Sequence, residues 1–530
     1  PTIPWNRPNV TVPKGTSDVV LIPLFASVNI YSILLPGQNA LDYNQDINTI
    51  MFSARGGGDV GSPVIGGSND IVTATSNDGT NFQSAVAALG TTSERYRYPS
   101  GVIYNPTGNT DPNAAYKLFQ APITSGDGWI MNRFTTVSFD GASNFKSDAG
   151  VESPLVRESL ATFSNGTAIS TAMYTEDDGT NYTLKQPRFY KGTFDDVNKG
   201  FNFVESDLTT EVPCYNPLYK GIYPVAAFDN SGMIGYYVVI GDDGRSPSDE
   251  HRASLQPIVY KTSDGGATWN IMDFIDLFNH PGLVNDDSCK LWGSRQGDIK
   301  LLWDEIDAVV DMNGGLHIFG TVTSVSSNSI DSTFYTWNLE AGGVIELFNP
   351  LGDNNWMVNW VANLQTQVVD AELSGYGDQG WDMRLQAGKS ADGDYVYAIW
   401  TDTDTAFWGL QGADKINLYP DVYGYAHKVT DNVKTWPANF TANTDFLGDN
   451  YYIFASQHCM VNNGDITIPV TSADIKFNNN PDQSVGHRYI SGIGFTADQF
   501  IRVGVNEVAK NVSNVQVYPN PATSEATINF

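Results

Sequence analysis

The chain is short of several features that would fix its chemistry directly. It has three cysteines in 530 residues, Cys214, Cys289 and Cys459, widely scattered and without a CxxC pair. That excludes a disulfide framework and a thiolate zinc site, and leaves at most one bridge whose pairing the spacing does not specify. Basic residues are scarce: 29 against 59 acidic ones, a formal net charge of -30. Such a chain is repelled by nucleic acid and by anionic membranes, so neither is expected as a partner. No long apolar run is present. The most apolar stretch, Val19 to Pro36, is interrupted by Pro23, Ser27 and Asn29 and reads as two strands, Val19 to Phe25 and Asn29 to Leu34. No charged segment with an apolar core precedes it, so a signal peptide, if one existed, is expected to have been removed. The six histidines form no HExxH and no Ser-His-Asp spacing. The glycine-rich run from Ser53 lacks a following helix, a GK[ST] and a ribose-binding acid, and is a loop.

Helical periodicity is also missing, apart from a turn near Ile271 to Phe278. What the chain does have is 50 glycines, 26 prolines and 26 tyrosines, with short alternating runs every ten residues or so. This composition argues for an all-β protein. Nothing between about residues 15 and 505 reads as a linker.

Internal repeats narrow the architecture. The run YKTSDGGATW, Tyr260 to Trp269, aligns without a gap with HKVTDNVKTW, His427 to Trp436. In the first, Asp264 can accept backbone N–H bonds inside a turn, two glycines supply positive φ, and Trp269 can pack below. The second keeps Asp431 and Trp436 but has lost both glycines. Looser copies surround Asp78 and Asp140. QPRFYKGTFDD from Gln186 lines up with QPIVYKTSDGG from Gln256. Four segments starting at Ala226, Ala308, Ala387 and Cys459 share a strand, an Asn/Asp/Gly turn and a strand. With hairpins near Ile47, Ser100 and Leu160 they give seven units spaced by about 55 to 80 residues. This is the rhythm of a β-propeller of four-stranded antiparallel blades, seven by this count and six if the first hairpin belongs to an extension. The strands near Val19 to Leu34 would supply the outer strand of the last blade and close the ring.

The Asp264 and Asp431 decapeptides resemble the Asp box, or BNR repeat, of sialidase-like propellers. Sialidases grip a carboxylate with three arginines and use a Tyr-Glu nucleophile pair with an acidic proton donor. Upstream of the inner-strand turns the chain offers Arg97, Arg157, Arg384, Glu158, Glu305, Asp307, Asp382 and Tyr223 as candidates for such a site, with Arg95, Asp304 and His458 nearby. No arginine segment near the N-terminus matches the sialidase pattern, the nearest being Arg55. Acids outnumber arginines at these positions, so a negative channel mouth that repels anionic sugars is expected.

The final residues, Val515 to Phe530, carry Tyr518-Pro519-Asn520-Pro521 followed by small and polar residues and a second strand. They resemble the start of the type A C-terminal sorting domain of Bacteroidetes type IX secretion substrates. The resemblance implies a protein secreted to the outer cell surface, and a sorting domain that continues beyond these residues. The expected division is an N-terminal segment with closing strands at 1–36, a propeller at 37–508 and the start of the sorting domain at 509–530. The acidic loops from Gly241 and Thr401 make calcium possible; no metal site or other cofactor is expected. Three functions follow: a binding, adhesive or assembly scaffold with a glycan or protein ligand; a sialidase-like glycoside hydrolase; or a self-associating extracellular protein.

Overall fold

The computed structural model describes residues 19–35, 37–60, 63–126, 128–149, 159–177, 182–208, 212–213, 224–241, 243–246, 256–277, 280–284, 301–324, 338–366, 383–403, 417, 419–442, 444–475, 482–503, 516–518 and 527–529. The protein is all-β. The expected turn near Ile271 is instead the strand Asn270–Ile271 followed by irregular chain to Leu277, and a four-residue helix starts at Pro281, where proline's fixed φ suits a first turn. No helix of the described residues is long and apolar enough to cross a membrane.

Six separate antiparallel sheets and one curled nine-stranded sheet build a β-propeller. The first sheet comprises Leu41–Asn44, Thr49–Arg55, Ile71–Ser76 and Gln83–Ala88, in that order from the inside outward. The second runs from Arg95–Tyr96 and Ser100–Tyr104 to Asn144–Ala149, the third from Ala161–Phe163 to Gly200–Asp207, the fourth from Val225–Phe228 to Asn270–Ile271, and the fifth from Leu301–Val310 to Met357–Asn363. The nine-stranded sheet contains the antiparallel run Gln386–Ser390, Tyr395–Thr403, Pro420–Lys428 and Val433–Lys434. A parallel bridge from Lys389 and Ser390 to His458 and Cys459 extends it. The last sheet is Tyr451–Ala455, Val470–Asp474, Val485–Ser491 and, on its outer edge, Val20–Ser27. Six separate sheets match the six-bladed alternative. A count of seven is not established, because that parallel bridge merges what would be a separate sheet into the nine-stranded one.

Alternation explains why these segments are strands. In Gly235–Gly241, Tyr236, Val238 and Ile240 pack toward the fifth sheet while Tyr237 and Val239 pack toward the third. Side chains of a strand point to opposite faces, and here both faces are covered. Among the described residues the buried apolar side chains fall into seven clusters, each between neighbouring sheets.

The strand Val20–Ser27 pairs antiparallel with Val485–Ser491, joining segments more than 450 residues apart and covering an edge that would otherwise be bare. Ser27 Oγ donates to the Arg55 carbonyl at 2.5 Å and lies 2.7 Å from His487 Nε2. His487 is buried between the rings of Phe25 and Phe52, and burial holds its pKa down to about 3, so the ring is neutral. The second expected strand, Asn29 to Leu34, is not one. It is a 3-10 turn over Ile30–Ser32.

Because the strands are antiparallel, turns from first to second and from third to fourth strand share one face, the turn face. Connections from second to third strand and from sheet to sheet share the other, the loop face.

Channel, turns and loop face as candidate functional sites

First strands line a central channel whose turn-face end encloses about 240 Å³. Its wall carries Asp42, Asp229, Asp307, Lys389 and His458, with the amides of Asn44 and Asn105 at the rim. Most of these polar groups tie one sheet to the next. Asp42 Oδ2 accepts the Ile103 N–H at 2.7 Å, and Thr162 Oγ1 donates to the Ile103 carbonyl at 2.6 Å. Ser159 Oγ accepts from Ala226 N at 2.8 Å. Asp307 accepts from Ala387 N at 2.7 Å and from its neighbour Ala308 N at 2.8 Å. Burial raises the Asp307 carboxyl to about 6 despite these bonds. Lys389 Nζ donates to the carbonyls of Phe228 and Val310, both at 2.9 Å, and burial lowers its pKa to about 8. A first strand thus holds its neighbours through side chain to backbone bonds, each a charge-assisted contact where an acid or lysine takes part.

Several candidate residues are held in the same way. Glu305 places Oε1 on the N–H of Met383 and Oε2 on that of Leu385, both at 2.7 Å. Arg384 is buried with φ +53°, donates to the carbonyls of Ile33 and Leu34 at 3.1 Å, and lies over the rings of Tyr452 and Phe454. His458 Nδ1 is 3.4 Å from Asp42 Oδ1. Arg157, Glu158, Tyr223 and Asp382 lie outside the described residues, as do the side chain of Asp304, Cys214 and Cys289. Cys459 is a buried free thiol whose pKa burial pushes up.

Arg97 is on the loop face beside Arg55, a proximity that no sequence spacing signals. Arg55 Nε donates to the Ser68 carbonyl at 2.7 Å, and Arg97 Nη1 reaches the same oxygen at 3.4 Å. Neither forms an ion pair among the described residues. The negative mouth expected from counting acids therefore does not extend to this corner, since Glu305 and Asp307 are bound to backbone groups elsewhere.

The turn face repeats one device. Asp264 accepts from Thr268 N at 2.8 Å, from the Thr268 hydroxyl at 2.6 Å and from the Thr262 hydroxyl at 2.8 Å, which lowers its pKa. Gly265 and Gly266 have φ of +68° and +84°, and a Cβ on Gly266 would meet the Phe189 ring at 2.4 Å. Asp78 accepts from Thr80 N and Asn81 N at 2.8 and 2.7 Å, and Asp140 from Ala142 N at 2.9 Å. Asp195 and Asp353 do the same in the third and fifth sheets, accepting from Val197 N and Asn355 N at 2.8 Å. Asp431 departs from its gapless alignment: it sits in the matching turn but pairs with the Lys428 ammonium, while Asp394 accepts from Thr430. With both glycines replaced, the turn takes a different path. Trp436 is 40% exposed where Trp269 is 6% exposed.

Among the described residues, one group of three side chains has metal-ligand composition: His317, Glu346 and His427, all buried, with ligand atoms within 4.8 Å of one another. Glu346 Oε1 is 2.7 Å from His317 Nδ1 and 2.8 Å from His427 Nδ1. Those are hydrogen-bond lengths; tetrahedral zinc with bonds of about 2.0–2.1 Å needs ligand atoms about 3.3 Å apart. His317 Nε2 faces Asp311 Oδ2 at 3.2 Å, so both its nitrogens face carboxylates and both carry protons. Burial lowers the His317 pKa, but the bonds to Asp311 and Glu346 outweigh it and raise the value to about 9. Of the acidic loops considered for calcium, Asp243 is paired with Arg245 at 2.6 Å. Asp402 accepts from Gln365 N, Thr366 N and Thr403 N at 2.6 to 2.9 Å.

No protein family matches the chain by sequence, and no curated protein does. Solved structures with a similar chain path include an ulvan lyase of a polysaccharide lyase family, at 10% identity and TM-score 0.43, covering 89% of this chain and 96% of that one. The phage phi92 endosialidase is similar at 12% identity and TM-score 0.37, covering 96% and 74%. The α-L-arabinanase of Penicillium chrysogenum is similar at 11% identity and TM-score 0.34, covering 76% and 99%. At such scores the likeness does not carry a functional argument. The chain is a β-propeller by its own sheet order.

Proposed function

We propose that the chain is an exported β-propeller that binds a glycan or protein ligand on the loop face and does not cleave glycosidic bonds. One observation carries this reading: the channel acids that would do chemistry are bonded to backbone N–H groups of the next sheet. A glycosidase needs two carboxyl groups facing one bond, one protonated and one free. Glu305 and Asp307 instead hold the segment Met383 to Ala387. A carbohydrate ligand suits a scaffold of this class, and adhesion or self-assembly would use the same rigid ring. The sialidase-like alternative depends on Arg157, Glu158, Asp382 and Tyr223 joining Arg97.

The same reading makes the nine-stranded sheet the seventh blade. Its antiparallel run from Gln386 to Lys434 has the four-strand order of the other sheets, and seven interfacial clusters among the described residues support this reading. Of its other five strands, Ala438–Asn439 and Arg502–Val503 pair with the outer part of that run, and His458–Asn462, Asp465–Thr467 and Gly494–Phe495 continue the last sheet across a short break. Disposition of the tail supports export: Gln516–Tyr518 pairs antiparallel with Thr527–Asn529, as expected for strands flanking the YPNP turn. Pro519, Asn520 and Pro521 themselves lie outside the described residues.

The test has two readouts. Deleting Val515 onward from the full-length protein should leave a folded propeller retained in the cell, and adding the complete tail to a foreign passenger should export it. The intact protein should also be retarded in gels carrying an embedded polysaccharide. Unchanged release of the truncated protein contradicts the export reading, and migration unaffected by every polysaccharide contradicts the glycan reading.

A further inference from the structure

We propose that Arg55 and Arg97, with the Tyr98–Trp129 aromatic pair beside them, form a subsite for an anionic oxygen group, carboxylate or sulfate ester, carried on a sugar. The proposal rests on the glycan-binding reading above and names the site and the ligand chemistry.

Sequence position brings the parts together. Arg55 ends the strand Thr49–Arg55, and Arg97 lies in the connection from the first sheet to the second, just ahead of Ser100–Tyr104. Both ends open on the loop face, in the seam between two sheets. The Ser68 carbonyl accepts from Arg55 Nε and lies within reach of Arg97 Nη1, which also donates to the Tyr96 carbonyl at 2.8 Å. Two guanidinium groups that share one oxygen are only a few ångströms apart.

Neither has a carboxylate partner among the described residues, in contrast to four other arginines. Arg133 pairs with Glu94 and Asp148 at 2.6 Å, Arg188 with Glu205 at 2.7 Å, Arg245 with Asp243 at 2.6 Å and Arg488 with Asp449 at 2.9 Å. In a chain with 59 acids to 29 bases, adjacent arginines without an acid run against composition. Arg55 is only 4% exposed, yet its two Nη atoms donate to no described protein group and are not sealed from solvent. Burial lowers both arginine pKa values, Arg55 to about 10, and a neighbouring guanidinium adds to it, Arg97 acting on Arg55 and Arg95 on Arg97. An arrangement that crowds like charges in a desolvated corner is stabilised when an anion enters, and a guanidinium fork matches the paired oxygens of carboxylate or sulfate.

The aromatic pair adds a platform. Tyr98 and Trp129 stack at 6.1 Å with 29° between their planes, and Trp129 is 39% exposed. Tyr98 holds φ +42°, a left-handed conformation that is strained for a bulky side chain. It keeps the phenol, whose pKa burial raises, in electrostatic contact with both arginines. An exposed indole next to an anion fork suits a charged sugar, with the ring face on the tryptophan and the acid on the arginines.

The test is calorimetric titration of the intact chain at low salt with five probes: inorganic sulfate, galactose 6-sulfate, a galacturonate trimer, its methyl ester and a neutral galactose trimer. At least one charged sugar should bind at least tenfold more tightly than its uncharged counterpart, and the tighter of the two identifies sulfate or carboxylate as the group recognised. Arg97→Gln should weaken that binding at least tenfold, and Arg97→Lys, which keeps the charge but not the fork, should weaken it severalfold. Trp129→Ala should weaken the charged sugar while leaving inorganic sulfate unchanged. Arg97 is only half-buried, so unchanged melting temperatures of its variants separate lost binding from lost folding. Equal binding of the trimer and its methyl ester together with no response to either sulfate probe overturns the subsite, as does anion binding untouched by Arg97→Gln. The neutral trimer reports separately on the glycan reading, because its binding does not require the arginines.

Discussion

Glu346→Gln is expected to cost about 3 to 5 kcal/mol of folding stability, the range for breaking a buried charge pair by removing one member. Glu346 is fully buried and serves four donors: both histidines through Oε1, and the Tyr425 hydroxyl at 2.8 Å and Asn359 Nδ2 at 3.2 Å through Oε2. These donors come from the fifth sheet and the nine-stranded sheet, so the carboxylate fastens one to the other. A glutamine of the same shape offers one oxygen and turns an N–H toward groups that already donate. The pH dependence distinguishes this tie from ordinary packing. His317 has a folded pKa raised from 6.5 to about 9, so its contribution is complete below about pH 6.5 and is lost as pH rises through 9. Chemical unfolding at pH 6 and pH 9.5 should therefore show the wild type less stable at the higher pH, with a smaller difference in Glu346→Gln. A variant as stable as wild type at pH 6 would show that the cluster does not join the sheets.

Trp269→Ala is expected to cost about 3 to 5 kcal/mol, as a large core truncation that leaves a cavity. The indole is edge-on to Phe189, Phe228 and Tyr237 at 5.2, 5.9 and 6.2 Å, in the cluster between the third and fourth sheets. Trp436→Ala should cost far less, because that ring is half out in solvent. Thermal unfolding of the two variants checks the pair. Equal losses would mean that the aligned decapeptides pack alike after all, and a fully stable Trp269→Ala that had lost ligand binding would make Trp269 a site residue.

The sequence made the sheets legible wherever a polar turn separated two alternating runs. Hairpins at Asp229, Asp311 and Asp392 were found because an Asx turn needs a short-range pattern. Asp195 falls out of register in the alignment of QPRFYKGTFDD with QPIVYKTSDGG, because it sits one residue further from the shared Gln-Pro than Asp264 does. Asp431 differs for the opposite reason: identity at Asp, Thr and Trp matters less than the loss of two glycines that set the turn's path. Candidate site residues were harder still. Glu305 and Asp307 lie within the inner strand Leu301–Val310 and Arg384 just ahead of Gln386–Ser390, but whether a carboxylate faces a ligand or a neighbour's N–H depends on how sheets meet. Arg55 and Arg97 are 42 positions apart, and nothing local to either shows that they share one carbonyl.

The central claim is that the channel acids hold blades together and do no chemistry, and hydrolysis measures it most directly. Purified protein incubated with a fluorogenic sialoside, across pH 4 to 8, should release no fluorophore above the buffer rate, while Glu305→Gln and Asp307→Asn should lower the unfolding midpoint. Hydrolysis that disappears in Glu305→Gln or Asp307→Asn at unchanged stability would contradict the account and make those carboxylates catalytic.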